Sequence, residues 1–346
     1  MNINFGMWRT AIWTLVKMDS KDEWDRLDVV SKWLIATRSA VTTVTLYAGV
    51  IAGLLALREG YFAVVPWLIV TVGLFLAHGA NNLLNDYTDF RRGVDQGNYF
   101  RTQYGVHPLV QGFWVQSQQL RWFVVTGVLA FLTGVYALVY TNLAPIVLGL
   151  FAFGAVVLLF YTWPLKWIGL GEIAIFLIWG PIFVAGINIV LARGWTDNMW
   201  TIALAGVPFG LSVVSINLGK HTDKMEDDRK KGVRTLPVIL GDVAARYLTM
   251  AVLVLAYAVI LYLILVPHFF TPVMLIVLFA ARRLLIALAV LSKPRPAEPP
   301  KEWPGWPTWF SGFCFYHNRL FGGLLVLGIL LDTLLRVFVP TFWPPL

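Results

Sequence analysis

Apolar residues run along this chain in long unbroken windows, and the polar residues collect between them. The windows lie at 41–57, 61–84, 122–140, 144–161, 170–192, 200–219, 244–266, 269–291 and 320–340. Each is close to the ~20 apolar residues that a helix needs to cross a bilayer core. Strands of a transmembrane barrel would instead alternate over about 10 residues. The pattern predicts an all-α polytopic membrane protein: nine transmembrane helices in one domain over 41–340, with loops capping one end. Residues 1–40 differ, because aromatic and charged residues interleave there. That segment is expected to form amphipathic helices lying on the bilayer surface, with Trp8, Trp13, Trp24 and Trp33 at headgroup level and Lys and Arg toward anionic lipid. Residues 293–309, KPRPAEPPKEWPGWPTW, are expected to be an extended Pro-rich loop with its tryptophans at the interface.

Composition supports this reading. The chain is 58% hydrophobic and only 13% charged, against about 25% charged in a soluble domain. The net charge of +8 is no sign of nucleic-acid binding, because the basic residues are confined to certain loops. With a cytoplasmic N-terminus, 24 of the 27 Lys and Arg fall on the inner side and only Arg58, Arg193 and Arg336 on the outer. By the positive-inside rule, that split supports nine helices and an N-terminus and polar loops on the cytoplasmic face of the cell membrane. No cleavable signal peptide is evident, since the N-terminal segment lacks an uninterrupted apolar core. The single cysteine, Cys314, excludes an intrachain disulfide and a cysteine-based zinc site.

Two inner loops carry carboxylates as well as bases. The first is NNLLNDYTDFRRGVD, residues 81–95. If the helix continues through it, Asn85 and Asp89 share a face and Asp86 borders it. Gly93 permits a turn that swings Asp95 back toward them. The second is NLGKHTDKMEDDRKKGVRTLPVILG, residues 217–241, where Asp223 and Asp227 are four apart, with Glu226 and Asp228 beside them. Ordinary cytoplasmic loops are charged, which suffices for the second loop better than for the first. A cation shared between the loops explains why both place carboxylates four apart, or nearly so, at helix ends. Oxygen ligands suit Mg²⁺, which binds through one or two carboxylates together with substrate phosphates. The neighbouring Lys and Arg would hold phosphate oxygens. The inferred ligand is a phosphate or diphosphate ester whose apolar remainder lies among the helices.

At this point the sequence resembles the UbiA superfamily of intramembrane prenyltransferases. Asn85-x-x-x-Asp89 with Asp95, in the form NDYTDFRRGVD, is similar to the first acidic motif of the 1,4-dihydroxy-2-naphthoate polyprenyltransferase branch of menaquinone synthesis. YTWPLKWIGLGEIAIFLIWGPIFVAG, residues 161–186, and GVRTLPVILG, residues 232–241, resemble two further stretches of that branch. There are departures. The general family pattern has an aspartate where this chain has Gly93, so that Asp95 substitutes for it. Lys224 stands eight residues before Gly232, where the family has an acid. Lys220 and His221 replace the paired asparagines of the naphthoate branch.

The resemblance implies Mg²⁺-dependent transfer of a polyprenyl group from polyprenyl diphosphate to an aromatic acceptor. One or two Mg²⁺ ions and basic residues would draw charge onto the diphosphate leaving group. It assigns Asn85, Asp89, Asp95, Asp223 and Asp227 to metal–diphosphate binding, with Asp86 and Asp228 as near alternatives. Lys166, Lys220, Lys224 and Arg234 become diphosphate contacts, with Arg38 a further candidate. Tyr161 is placed either beside the allyl cation or acceptor, or at the membrane interface as an anchor. His221 and His107 are read as solvated loop histidines, with His221 as a base for the acceptor the alternative. Glu172 is given a structural or orienting role, and Asn188 and Asn217 interhelical hydrogen bonds. Rival readings are a UbiA-type enzyme acting on 4-hydroxybenzoate or a lipid acceptor, and, from another class, a membrane transporter. Transporter sites lie near the bilayer midplane, whereas these acids gather on one surface.

Overall fold

The computed structural model describes residues 3–18, 20–97, 100–301, 303, 305–339 and 341–343. Residues 1, 2 and 19 of the N-terminal segment, 302 and 304 of the Pro-rich loop and 340 of the last window therefore lie outside the described residues. Three short helices come first: α1 (Phe5–Trp13), α2 (Lys21–Arg26) and α3 (Val29–Ala36). The bundle follows as α4 (Ser39–Arg58), α5 (Val64–Arg91), α6 (Gln116–Tyr140), α7 (Pro145–Phe160), α8 (Gly171–Leu191), α9 (Met199–Asp223), α10 (Asp242–Leu265), α11 (Pro272–Leu291) and α12 (Phe310–Phe338). No strand occurs among the described residues. Eight of the nine predicted windows are helices long and apolar enough to cross a bilayer. The ninth, 144–161, is the apolar helix α7 of 16 residues. At 1.5 Å per residue it reaches only about 24 Å, short of a hydrocarbon core of about 30 Å.

Burial ranks the helices. In α4 and α9, 61% and 67% of the apolar window is inside the protein, against 17% in α6, so α4 and α9 are central and α6 is turned outward. The main core joins Ile51 and Leu55 of α4, Phe209 of α9, and Phe321, Leu325 and Ile329 of α12. Glycines set how closely the central helices approach. At Gly180 the backbone leaves the helical region (φ −102°, ψ −108°) just before Pro181, which has no N–H to donate. The resulting kink lies against α9, where a Cβ on Gly210 would sit 2.5 Å from Gly180 Cα. Farther along α9, a Cβ on Gly219 would sit 2.7 Å from the Ser311 nitrogen, so the start of α12 packs directly on α9. Asn188 joins helices, as its residue type suggested: its amide donates to the Ala52 carbonyl at 3.1 Å, and its oxygen accepts from Tyr61 at 2.8 Å.

The N-terminal segment is more deeply built in than a surface-lying segment would be. Trp24 is only 1% exposed, stacked on Phe113, in a core that includes Leu34, Leu83 and Trp114. Trp8 donates to Asp28 at 3.0 Å and Trp33 donates to Thr126 at 2.9 Å. Their indole N–H groups are therefore satisfied within the protein, while Trp13 remains half exposed. Trp303 of the Pro-rich loop likewise stacks on Phe313 of α12, with ring centres 4.4 Å apart. At the bundle end carrying Arg58, Arg193 and Arg336, each arginine is held locally. Arg58 pairs with Asp332 at 3.1 Å, Arg336 donates to the Phe269 carbonyl at 3.0 Å, and Arg193 lies 4.4 Å from the centre of the Tyr140 ring.

Candidate functional site

Helix α5 is 28 residues long, about 42 Å at 1.5 Å per residue. It outruns the hydrocarbon core, and its last turns carry Asn85, Asp86 and Asp89 beyond the apolar window. The helix then ends in a Schellman turn. Val94 N–H donates to the Asp89 carbonyl at 2.8 Å, Gly93 N–H donates to the Phe90 carbonyl at 3.1 Å, and Gly93 takes φ +71°. A side chain is strained at that φ, which is why glycine stands there. The reversal brings Asp95 back, so that Asn85, Asp89 and Asp95 all line one cavity.

That cavity measures about 960 Å³. Its apolar reach passes Val44, Leu74, Phe131, Phe151, Trp179 and Phe183. Its polar end is lined by Arg38, Arg101, Lys166, Lys220 and Lys224 along with Asn85, Asp89 and Asp95. Cations outnumber carboxylates there, so the polar end suits an anion. Lys166, in the turn before α8, places Nζ 2.5 Å from Asp89 Oδ2. Asp95 Oδ2 lies 2.9 Å from His107 Nε2. The other oxygen of each carboxylate, Asp89 Oδ1 and Asp95 Oδ1, is buried without a partner. A buried, unpaired carboxylate oxygen is costly, and two on residues that line one cavity fit a hard divalent cation that takes oxygen ligands. Asn85 lines the same cavity, its amide nitrogen donating to Thr162 at 2.9 Å and its oxygen accepting from Arg38 at 3.5 Å.

Asp86 plays a different part. It is fully buried between two guanidiniums, Arg38 at 3.2 Å and Arg101 at 3.0 Å. Although a carboxylate oxygen from each of Asp86 and Asp95 and a ring nitrogen of His107 lie within 4.8 Å of one another, two arginines already neutralise Asp86, and it does not line the cavity. It joins Arg38 and Arg101, both of which line the cavity. Arg38 stands in the left-handed region (φ 56°) between α3 and α4 and donates to the Asn82 carbonyl at 3.2 Å. Burial disfavours the charge of Arg101, but Asp86 beside it outweighs burial and pushes the guanidinium pKa up.

The second acidic loop meets the first, with Lys231 donating to the Gly93 carbonyl at 3.0 Å, but it turns bases rather than carboxylates to the cavity. Asp223 is spent on the start of α12: it accepts from the backbone N–H groups of Trp309, Phe310 and Ser311 at 3.0, 2.9 and 3.0 Å, and from the Ser311 hydroxyl at 2.9 Å. Arg295 approaches it at 3.5 Å. Asp227 is half-buried and Arg234 exposed, and neither lines the cavity. Asp228 is fully buried and pairs with Lys224 at 2.8 Å, also away from the lining. The i,i+4 spacing of Asp223 and Asp227 thus corresponds to a helix cap and a partly exposed neighbour. What the second loop presents to the cavity is Lys220, His221 and Lys224. Tyr161 and Asn217 also line it.

His221 is not a solvated loop residue. It is fully buried; Nδ1 contacts Glu172 Oε1, and Nε2 is buried without a partner at the cavity wall. Glu172 also accepts from Leu236 N–H at 3.4 Å. His107, paired with Asp95, is fully buried as well. Arg101 escaped sequence reasoning because its partner Asp86 lies 15 residues away across a turn, a separation outside any helical periodicity.

A protein-family profile described as the UbiA prenyltransferase family matches residues 46–314. The chain belongs to this family. UbiA prenyltransferase domain-containing protein 1 of Gallus gallus is 28% identical over 202 residues, covering 56% of this chain and 57% of that protein. The chain thus spans little more than half the length of that relative. The 1,4-dihydroxy-2-naphthoate octaprenyltransferase of Escherichia coli is 27% identical over 221 residues, covering 62% of this chain and 70% of that enzyme. Among solved structures, a UbiA homologue from Archaeoglobus fulgidus bound to DMAPP and Mg²⁺ superposes with a TM-score of 0.52 at 16% identity, covering 86% of this chain and 99% of the other. At that identity the likeness concerns the fold. The family match and the eight long apolar helices make this UbiA chain an integral membrane protein of all-helical architecture.

Proposed function

We propose that this chain transfers a polyprenyl group from a polyprenyl diphosphate to an aromatic acceptor, with Mg²⁺ as cofactor and 1,4-dihydroxy-2-naphthoate of menaquinone synthesis as the favoured acceptor. The observation that carries the reading is the cavity itself: a cation-rich end joined to an apolar reach, about 960 Å³ in all. A diphosphate suits the first part and an isoprenoid tail the second. The names of two relatives agree, one a naphthoate octaprenyltransferase and one a homologue bound to DMAPP and Mg²⁺. The polar end is assigned to the cytoplasmic side of the cell membrane, from the distribution of Lys and Arg.

Asn85, Asp89 and Asp95 would hold Mg²⁺, whose chemistry is to neutralise charge building on the leaving diphosphate. Lys166, Lys220 and Lys224 are aimed at the same oxygens, with Arg38 and Arg101 held in place by Asp86. Their positive charges favour breaking of the allylic carbon–oxygen bond with its electrons passing to the diphosphate. Tyr161 lends an aromatic face to the resulting cation. The apolar wall keeps water from it. His221 offers Nε2, the ring nitrogen that Glu172 does not contact, to a hydroxyl of the acceptor.

The test is release of diphosphate from a polyprenyl diphosphate, with an aromatic acceptor, by the purified protein. Turnover should require Mg²⁺ and fall at least 100-fold in Asp89→Asn with the fold retained. Activity near wild type in that variant, or none in the wild type with any acceptor, would overturn the reading. His221→Ala should slow transfer at least tenfold while leaving diphosphate binding intact; equal losses in both would mean that the residue only supports the fold.

A further inference from the structure

The sequence suggested a cation shared between the two acidic loops, and the side chains divide the work differently. On the α5 side, two carboxylates line the cavity, each with one buried oxygen lacking a partner. On the α9 side, no carboxylate among the described residues lines the cavity. Asp223 is consumed by three backbone N–H groups and a hydroxyl at the start of α12, and Asp228 stands behind Lys224 at 2.8 Å. The charged groups that α9 presents are Lys220 and Lys224. Lys220 forms no ion pair or hydrogen bond with the described residues.

We propose that the diphosphate is clamped between a single divalent cation on Asn85, Asp89 and Asp95 and the ammonium groups of Lys220 and Lys224, with no second cation on the α9 side. This rests on the prenyl diphosphate reading above. The chemistry is direct. A divalent cation in a low-dielectric site needs anionic oxygens around it, and α9 supplies none. Two ammonium groups would repel a cation placed there. Lysine binds phosphate as a compact point charge with three donors. Asp228 then acts as a positioning residue: it draws Lys224 Nζ to one place on the wall and limits the cost of burying its charge.

The proposal is tested by titrating Mn²⁺ into the purified full-length protein with geranylgeranyl thiolodiphosphate, a slowly reacting allylic probe. Electron paramagnetic resonance counts the bound metal, and equilibrium binding gives the probe's affinity. One Mn²⁺ per chain is expected, without the signal of a coupled metal pair. Asp89→Asn should lose that ion. Lys220→Met, which breaks no ion pair, should keep it while binding the probe at least tenfold more weakly, and Lys220→Arg should recover part of the affinity. Two Mn²⁺ per chain, or an unchanged affinity in Lys220→Met, would overturn the proposal and leave the prenyl diphosphate reading standing. A wild-type protein that does not bind the probe would overturn both.

Discussion

Asp86 and Asp89 are three positions apart on one helix and serve opposite ends. Asp86 has both oxygens beside arginines, whereas Asp89 keeps one buried oxygen without a partner at the cavity. Helical spacing predicts that the two border one face; only the neighbours that reach each carboxylate decide its task. The same holds for His221, which a charged loop made look solvated until Glu172, 49 residues away, was seen in contact with it. A residue outside the membrane-spanning segments shows how local bonds set a pKa. Burial of Asp28 opposes its ionisation, but hydrogen bonds from the Ser31 hydroxyl and backbone, the Trp8 indole and the Asn4 backbone outweigh it and hold the carboxyl far below the usual range. An aspartate depressed in this way stabilises the fold above its unfolded pKa, about 4. That contribution drains away as the pH falls from there toward the folded value. Protection of the α3 amides against hydrogen exchange should therefore weaken as the pH is lowered below about 4. Asp28→Ala should remove about 1 kcal/mol of local stability at neutral pH, with a flatter pH profile.

At the scale of elements, the start of α12 is the clearest case of sequence pattern and structure parting. Asp223 follows α9's apolar run and looks like half of a metal pair, yet the close approach at Gly219 places the first residues of α12 under its carboxylate. Asp223→Ala is expected to lower the thermal stability of the purified protein by about 1–3 kcal/mol, the cost of stranding buried donors. The count of bound Mn²⁺ should not change; loss of the metal with unaltered stability would return Asp223 to the ligand set. The α8–α9 crossing makes a similar demand. Gly210→Leu should destabilise the bundle by about 1–3 kcal/mol through overpacking, because even a Cβ there would sit 2.5 Å from Gly180 Cα. Detergent-solubilised thermal unfolding reads both. Long apolar windows gave the spanning helices directly, since their length and hydropathy are properties of the chain alone. α7 was the window whose continuity overstated its helical length, as its 16 residues show.

For the whole molecule, orientation is the property that charge distribution predicts and that labelling can test. In a Cys314→Ala background, a cysteine at exposed Lys230 should resist a membrane-impermeant maleimide in intact cells and react after lysis. A cysteine at Trp200, which is 73% exposed at the opposite end, should react in both. The reverse pattern would invert the assignment. The sequence by itself determined the membrane class, the helical windows, the segregation of basic residues and the first acidic motif, because each depends on composition or on contacts within a few residues. Tertiary structure alone decided which carboxylates face the cavity. Asp223, Asp228, Lys220, His221 and Arg101 owe their roles to where helix ends meet and which charges burial forces together, and no spacing along the chain encodes those meetings.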